Sequence, residues 1–583
     1  MHRDRIRRAV RENPWLAGVL AVAAVLLYLG IWRVEPYQFI PDEIAATTQP
    51  LTIAQEPYGM TEFKKGGNLH IWLLVVAYLV VLLPIGAYWF VTGQIDAVLA
   101  EAERVSQYTA GGQWAAANQQ LLDTYHLLVT SGRFVSATAG LLTVLGVGLL
   151  ARRLGGRPAG VLAPATLSVT LGFVLTAKYA TEDVVVACFV IWTFLLLAYH
   201  YDTGEDRFML YGAAATGLAI STKATAGVLV FVVAILAFRR YEPRELLTQD
   251  ALRDLVRYPA LAIATYVATT PSLLVRPDRY AAEIGRYFVV KSGGATFYAA
   301  NEPGWIAHLG HLVTALGVPL LALSILATVG VGLLAVTDRI SRFTLYPLGF
   351  AVTFFLVDSF TSSTQYNRIL LIVPLLALFV GLVGGWAIDA ERRPSVRRVA
   401  GPVLAIVLLL SLFYTASGAV AWSTSRGDAS KWTHANIDDG EQVTLLTKPT
   451  YLPSMPDGAN VTQASIDPLY DRHTAERKER VLERVRCHRT DYLVLSSFHY
   501  ERYFEDPVVS PNRTAFYRSL LGGEAGYEVV AEFGPSDPNL QRDAEANFER
   551  ALRLEPPSRN TNNPRIVVMQ PTVPAGDGEH CGA

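Results

Sequence analysis

The sequence predicts a polytopic α-helical membrane protein that ends in a small extracytoplasmic α/β domain, and three observations carry that expectation. The 583-residue chain is 51% hydrophobic and only 17% charged, with a mean hydropathy of +0.28, values beyond those of one ordinary soluble core. Apolar stretches of spanning length recur along the first 424 residues. Beyond them the texture changes to short β-rich runs alternating with amphipathic ones. The net charge of −1 gives no case for a nucleic-acid partner. Its distribution is uneven: from Ser425 onward 24 Asp and Glu face 18 Lys and Arg, and before it 27 face 32. The basic excess belongs to the membrane part.

The first element is a basic N-terminus, "MHRDRIRRAVRENP", followed by the apolar run Trp15 to Trp32 without a small-x-small cleavage site. That pattern predicts an uncleaved signal anchor with its arginines in the cytosol and the following residues outside. Further apolar stretches fall at 69–92, 133–151, 159–177, 184–201, 208–222, 224–238, 258–275, 311–336, 343–360, 366–388 and 399–424. Four connections are basic, "RRLGGR" (152–157), "RRYEPRE" (239–245), "DRISR" (338–342) and "ERRPSVRR" (391–398), and are expected in the cytosol.

Parity then singles out 69–92. If it crossed the membrane, all four basic loops would face outward, so the expectation is a segment lying along or dipping into the outer face, broken at Pro84. Length alone also suits a true span with a missed return. The amphipathic run "IDAVLAEAERVSQY" after it fits a helix on the membrane surface. About eleven spans remain, placing the N-terminus inside and the C-terminus outside. The expected organisation is a transmembrane domain over 1–424, whose first outer loop (33–132) carries interfacial helices, and a soluble domain over 425–583.

In that soluble domain "EQVTLLT", "TDYLVLSSF", "GYEVVAEF" and "NPRIVVMQ" predict strands, and "DRHTAERKERVLERVRCH" and "PNRTAFYRSLLGG" predict helices. The tripeptides Asn460-Val-Thr and Asn512-Arg-Thr match acceptor sequons, weak support for an outside location. Three cysteines exclude a disulfide framework, and Cys487 with Cys581 is the one conceivable bridge.

Charges near hydrocarbon are costly and therefore informative, and in this topology they gather on the outer side. The first outer segment carries Asp42, Glu43, Glu56, Glu62, Lys64, Lys65 and His70, and the next outer loop, "AKYATEDV", offers Lys178, Glu182 and Asp183. Lys223 lies between two apolar runs, while Arg276, Arg279 and Lys291 follow in the long outer loop and Arg368 opens a later span. Each has a plainer reading. Asp42 and Glu43 suit a solvated loop, Glu182 and Asp183 complement a helix N-terminus, and Lys178 and Arg368 suit snorkelling side chains. His308 and His311 are read as interfacial residues without a role.

The acidic pair in "PDE" (41–43), "GRFVSATAGLLTVLGVGLLARRLGG" (132–156), "AKYATEDVVVACFVIWTFLLL" (177–197) and "GAAATGLAISTKATAGVLV" (212–230) resemble the protein O-mannosyltransferase and aminoarabinose (lipid A) transferase-like branch of the GT-C glycosyltransferases. The resemblance covers roughly 15–385. It implies a polyprenyl-phosphate-linked sugar donor of the dolichyl-phosphate type, an extracytoplasmic site, and transfer with inversion to an acceptor hydroxyl on a protein, glycan or lipid. It further implies Asp42 as catalytic base with Glu43 beside it, Asp183 and Glu182 as organisers of the donor or of a divalent Mg or Mn, and Lys223 as the lysine of the "STK" motif. Arg368 stands where the family has an arginine before a tyrosine, here replaced by Ile369.

Inversion places a base on the acceptor side and cations on the phosphate side. Lys178, Lys223, Arg276 and Arg368 are the candidates for the phosphate. The alternatives weighed are an oligosaccharyl- or lipid-modifying transferase with a lipid-diphosphate donor, and a secondary transporter. Transporters carry their charges near the midplane between paired halves, a pattern not visible here.

Overall fold

The computed structural model describes residues 13–33, 43, 46–47, 49–50, 68–94, 96, 100, 103, 122–239, 241–245, 248–289, 303–360, 366–389, 394–420, 425–446, 453–463, 475–505, 511–534, 544–555 and 564–573. The chain is a polytopic helical membrane protein with a C-terminal sheet domain. Among the described residues six helices are long and apolar enough to cross a membrane, and two shorter apolar helices accompany them.

Helix α1 (Pro14–Tyr28) starts on Pro14, whose missing N–H costs nothing in a first turn, and ends before Gly30 at φ 84°. Helix α2 (Leu69–Val91) runs unbroken through Pro84. The expected break is therefore absent, because losing one hydrogen bond does not end a helix this apolar and long. It is itself long enough to span. The surface helix expected after it lies almost wholly outside the described residues.

Helix α3 (Leu122–Ser168) is two helices joined at Gly156, whose φ of 82° favours glycine. The chain doubles back there: Gly160 abuts Arg152, and a Cβ on Gly148 would lie 3.1 Å from Pro164. Helices α4 (Leu171–Ala177), α5 (Glu182–Thr203), α6 (Asp206–Thr222), α7 (Leu229–Phe238), α8 (Gln249–Thr269) and α9 (Pro277–Val289) follow. The single span expected over 311–336 is instead two helices, α10 (Gly304–Leu316) and α11 (Val318–Val336). Gly317 at φ 73° and Pro319 in the first turn of α11 divide them. Helices α12 (Leu345–Ser359), α13 (Val373–Ile388) and α14 (Pro394–Val420) complete the membrane part.

Small residues let its centre close. Gly381 and Gly385 on α13 lie against Ala163 and Ala159 on α3, where an added Cβ would come within 2.6 Å and 2.7 Å of the opposing backbone nitrogens. Spaced four apart on both helices, these residues form a small-xxx-small seam that van der Waals contact holds shut in lipid.

The C-terminal part begins with α15 (Ser425–Asn436). Its strands β1 (Gln442–Leu445), β2 (Asn460–Gln463), β3 (Tyr492–Ser496), β4 (Tyr527–Phe533) and β5 (Ile566–Pro571) form one sheet of order β2-β1-β3-β5-β4. Strand β1 runs parallel to β2 and β3, and β5 antiparallel to β3 and β4. Four strands match the expected runs. The fifth, β2, contains Asn460 of the first sequon and lies at the edge of the sheet, in a run with a single β-branched apolar residue, Val461. Helices α16 (Ala475–Arg486), α17 (Ser497–Glu505), α18 (Pro511–Leu521) and α19 (Ala544–Leu552) complete this part, α17 packing on β3 and α18 on β4. Cys487 is disulfide-bonded and Cys188 is free, whereas Cys581 lies outside the described residues.

Candidate active site

The two ends of α1 meet different partners, and this separates the charges. At its start, Arg152 donates to the side chain of Asn13. Arg153 pairs with Asp202 at 2.8 Å, and Arg239 lies over the Tyr201 ring, so the basic connections gather at that end. At the other end the carbonyls of Leu29, Ile31 and Arg33 accept from Lys178 and Arg133. Candidate residues cluster there.

Glu43 is wholly buried and forms a two-pronged ion pair with Arg133, Nε to Oε1 at 2.7 Å and Nη2 to Oε2 at 3.0 Å. The Ala180 N–H donates to the same Oε1 at 2.7 Å. The third guanidinium nitrogen of Arg133 donates to Arg33 O at 3.0 Å and Ile31 O at 3.3 Å. Two buried charges survive only when so completely matched. The pair therefore fastens the first outer segment to α3 and to the α4–α5 loop. Ser136 Oγ, one turn along α3, donates to Thr181 O in that loop, and Thr47 Oγ1 donates to Glu43 O. Gly132, between the two, leaves no room for a side chain against Ala180.

Lys178, at the end of α4, is also fully buried and donates to Leu29 O at 2.8 Å. Burial first, and then the nearby positive charges of Arg33 and Arg133, push its ammonium down to about 8.

Glu182 and Asp183 form the first turn of α5. Lys223 stands in extended backbone between α6 and a 3-10 turn, Ala224–Val228, and that break aims its ammonium at Asp183, with Glu182 3.8 Å away. Lys223 is a candidate for the phosphate, and Asp183 and Glu182 for organising the donor or a divalent metal; in the fold they lie against one another. Two carboxylates already sharing an ammonium make a poor divalent cradle, which takes six or more oxygens for Ca and near-octahedral oxygens for Mg. Among the described residues no three His, Cys, Asp or Glu side chains gather to hold a metal. The residues described do not fit the Mg or Mn expected from the resemblance.

Asp42 lies outside the described residues. Arg276, half-buried, follows the turn Ser272–Val275, in which Asn68 donates to Ser272 Oγ. Arg368, also half-buried, sits in the turn Tyr366–Ile369. Helix α10 packs against both that turn and α4, which brings Arg368 to the same end of the bundle as Lys178. Two features escaped sequence reading. Arg133 was overlooked inside an otherwise apolar span, although a lone arginine there was signal enough. His308 has a buried Nε2 lying 3.0 Å from the Asp358 carboxylate, a pairing across fifty residues with no local signature.

At one end of the helical bundle the buried pair of Glu43 and Arg133 lies beside Lys178 and the first turn of α5. Residues 126–267 match the family described as dolichyl-phosphate-mannose-protein mannosyltransferase. The expected resemblance to the protein O-mannosyltransferases therefore extends over the stretch that carries Arg133, Lys178, Glu182, Asp183 and Lys223. No curated protein matches the chain. Among solved structures, ArnT from Cupriavidus metallidurans in the apo state is 15% identical, over 96% of this chain and 98% of that one, with a TM-score of 0.48. The apo oligosaccharyltransferase of Archaeoglobus fulgidus is 13% identical, over 84% and 71%, also at 0.48. The oligosaccharyltransferase AglB of Archaeoglobus fulgidus, in complex with an inhibitory peptide and a dolichol-phosphate, is 11% identical, over 96% and 88%, at 0.47.

Proposed function

We propose that this protein is an inverting glycosyltransferase that moves a sugar from a polyprenyl-phosphate donor to an acceptor hydroxyl on the extracytoplasmic face. The observation that carries the reading is the tie between Glu43 and the α4–α5 loop through Ala180 N–H, which joins the acidic first segment to the cationic side of the site. The family match over that loop supports a lipid-linked sugar donor.

In this reading Glu43 is a positioning residue, since Arg133 and Ala180 meet its carboxylate. Asp42 is its chain neighbour, one peptide unit away. Anchoring Glu43 fixes that residue beside the site, and transfer depends on such preorganisation. The acceptor hydroxyl attacks C1 of the sugar from the face opposite the phosphate. Its proton passes to Asp42, the C1–O bond to phosphate breaks, and the bonding pair leaves on the phosphate oxygen. Lys178, lying beside Arg33 and Arg133, is the cation best placed to meet that departing charge. Lys223 pairs with Asp183 and so fixes the first turn of α5, while Arg276 and Arg368 remain candidates for the phosphate. The charged end of α1 is then extracytoplasmic and the Arg152 end cytosolic, in accord with the basic connections.

Sugar transfer from a polyprenyl-phosphate donor by purified Asp42→Asn tests the reading. Loss of turnover with donor binding retained is expected; turnover close to that of the unaltered protein removes Asp42 from the base role.

A further inference from the structure

We propose that helix α19 of the C-terminal domain lies on the lipid surface and docks that domain against the membrane beside α10 and α11. Although α19 lies more than a hundred residues beyond the last membrane helix, it packs on α10 and touches α11. Ala551, 1% exposed, belongs to the same apolar cluster as Leu312, Val313 and Leu316 of α10. The opposite outcome holds one turn back and one residue on: Phe548 and Leu552 are 46% and 56% exposed. At spacing i, i+3, i+4 the three residues form one apolar stripe, of which protein covers only one edge, at Ala551.

The neighbours identify what covers the rest. Helix α10 exposes Trp305 and Leu309, and α11, one of the spanning helices, exposes Ile325, Leu326 and Val329. Such a surface on a spanning helix faces acyl chains. The packing of Ala551 in one cluster with Leu312, Val313 and Leu316 sets Phe548 and Leu552 beside two helices whose outer surfaces face lipid. Trp305, in the first turn of α10, is the residue type favoured at the headgroup level. Arg550 lies on the helix face opposite the stripe, and Arg553, just beyond the last turn, is the cation nearer to the lipid headgroups. Glu549, 4.0 Å from Arg553, leaves that arginine partly balanced, so the apolar stripe supplies more of the attachment than charge does. The outer leaflet is the one contacted, a point that rests on the proposed orientation; contact with lipid does not.

The test uses the full chain in phosphatidylethanolamine–phosphatidylglycerol vesicles with bimane on Phe548→Cys, and on Asp439→Cys as an exposed control in the same domain. Cys188 is buried and Cys487 is bonded, and the unsubstituted chain taken through the same labelling gives the background, that of Cys581 included. At position 548 a nitroxide high on the acyl chain is expected to quench the emission while aqueous iodide does not; at 439 the order reverses. Iodide quenching at both positions overturns the proposal. Protection from both quenchers at 548, with energy transfer between labelled copies, overturns it in favour of a second copy. The pair Phe548→Glu and Leu552→Glu, with the label at Trp305→Cys, is a second measurement: iodide access at 305 is expected to rise as the domain lifts, and unchanged access overturns docking. Labelling of 439 by a membrane-impermeant thiol reagent reports the side separately, so a wrong orientation is distinguishable from absent lipid contact.

Discussion

Arg133 meets both carboxylate oxygens of Glu43 at 2.7 Å and 3.0 Å, and neither side chain is reached by solvent. Breaking such a pair leaves a buried charge uncompensated, at a cost of about 3–5 kcal/mol. Arg133→Met and Glu43→Gln are each expected to lower the thermal stability of the detergent-solubilised protein by that order, and the double substitution to cost less than the sum of the two. Additive losses in that double-mutant cycle would show that the pair does not act as a unit. Arg133→Lys is expected to behave almost as badly, because an ammonium cannot reproduce the two-pronged contact.

Lys178 gives the protein a pH dependence whose sign follows from its lowered proton affinity. Below about pH 8 the folded chain carries it as a cation, and above that it is neutral. From about 8 up to the ordinary lysine value of 10.5 the unfolded chain holds one more proton than the folded one, so this group makes stability rise with pH across that window. Its capacity to meet a phosphate runs the other way. The KM for the polyprenyl-phosphate donor is expected to rise as pH passes 8, and Lys178→Arg to flatten that rise. An unchanged alkaline limb in the arginine variant would assign the titration to another group.

Lys223 and Asp183 are expected to act as one unit. Lys223→Met leaves Asp183 buried without its ammonium, and turnover should fall by about tenfold or more, the effect of losing over 1.4 kcal/mol of organisation. Asp183→Asn/Lys223→Met should be less impaired than Lys223→Met alone. Chelation by EDTA should leave transfer unchanged in the unaltered protein; loss on chelation with recovery in Mg would restore the two carboxylates to a metal-binding role.

Gly381 and Gly385 hold α13 against α3 so closely that an added Cβ meets backbone. Gly381→Leu is expected to cost at least about 1–3 kcal/mol, the usual penalty of overpacking, and more where backbone must move. Thermal unfolding monitored in detergent checks it. Gly401→Ala, where a Cβ meets open space, serves as the neutral control.

Much of the architecture was legible in the chain itself. Hydropathy marked the apolar helices, since a backbone in hydrocarbon satisfies its own hydrogen bonds only in such elements. The basic turn at Arg152–Arg157 marked the reversal now seen at Gly156, and short β-rich runs marked four of five strands. The break at Gly317 was missed because a glycine and a proline in an apolar run are ordinary features of membrane helices. At the site, the charges themselves were legible because each is costly in its setting. Their partners were not: Glu43 finds Arg133 ninety residues away and Asp183 finds Lys223 forty away.

By itself the sequence determined that this chain is a membrane bundle with a sheet-bearing tail and acidic and basic groups held at one end, because composition and periodicity fix what each segment can bury. Only the tertiary structure decided which charges neutralise one another, that Lys223 lies against Asp183, and that α19 returns to the membrane part. Those outcomes depend on contacts between segments far apart in the chain, where distance through space sets the electrostatic and packing energies and distance along the sequence does not.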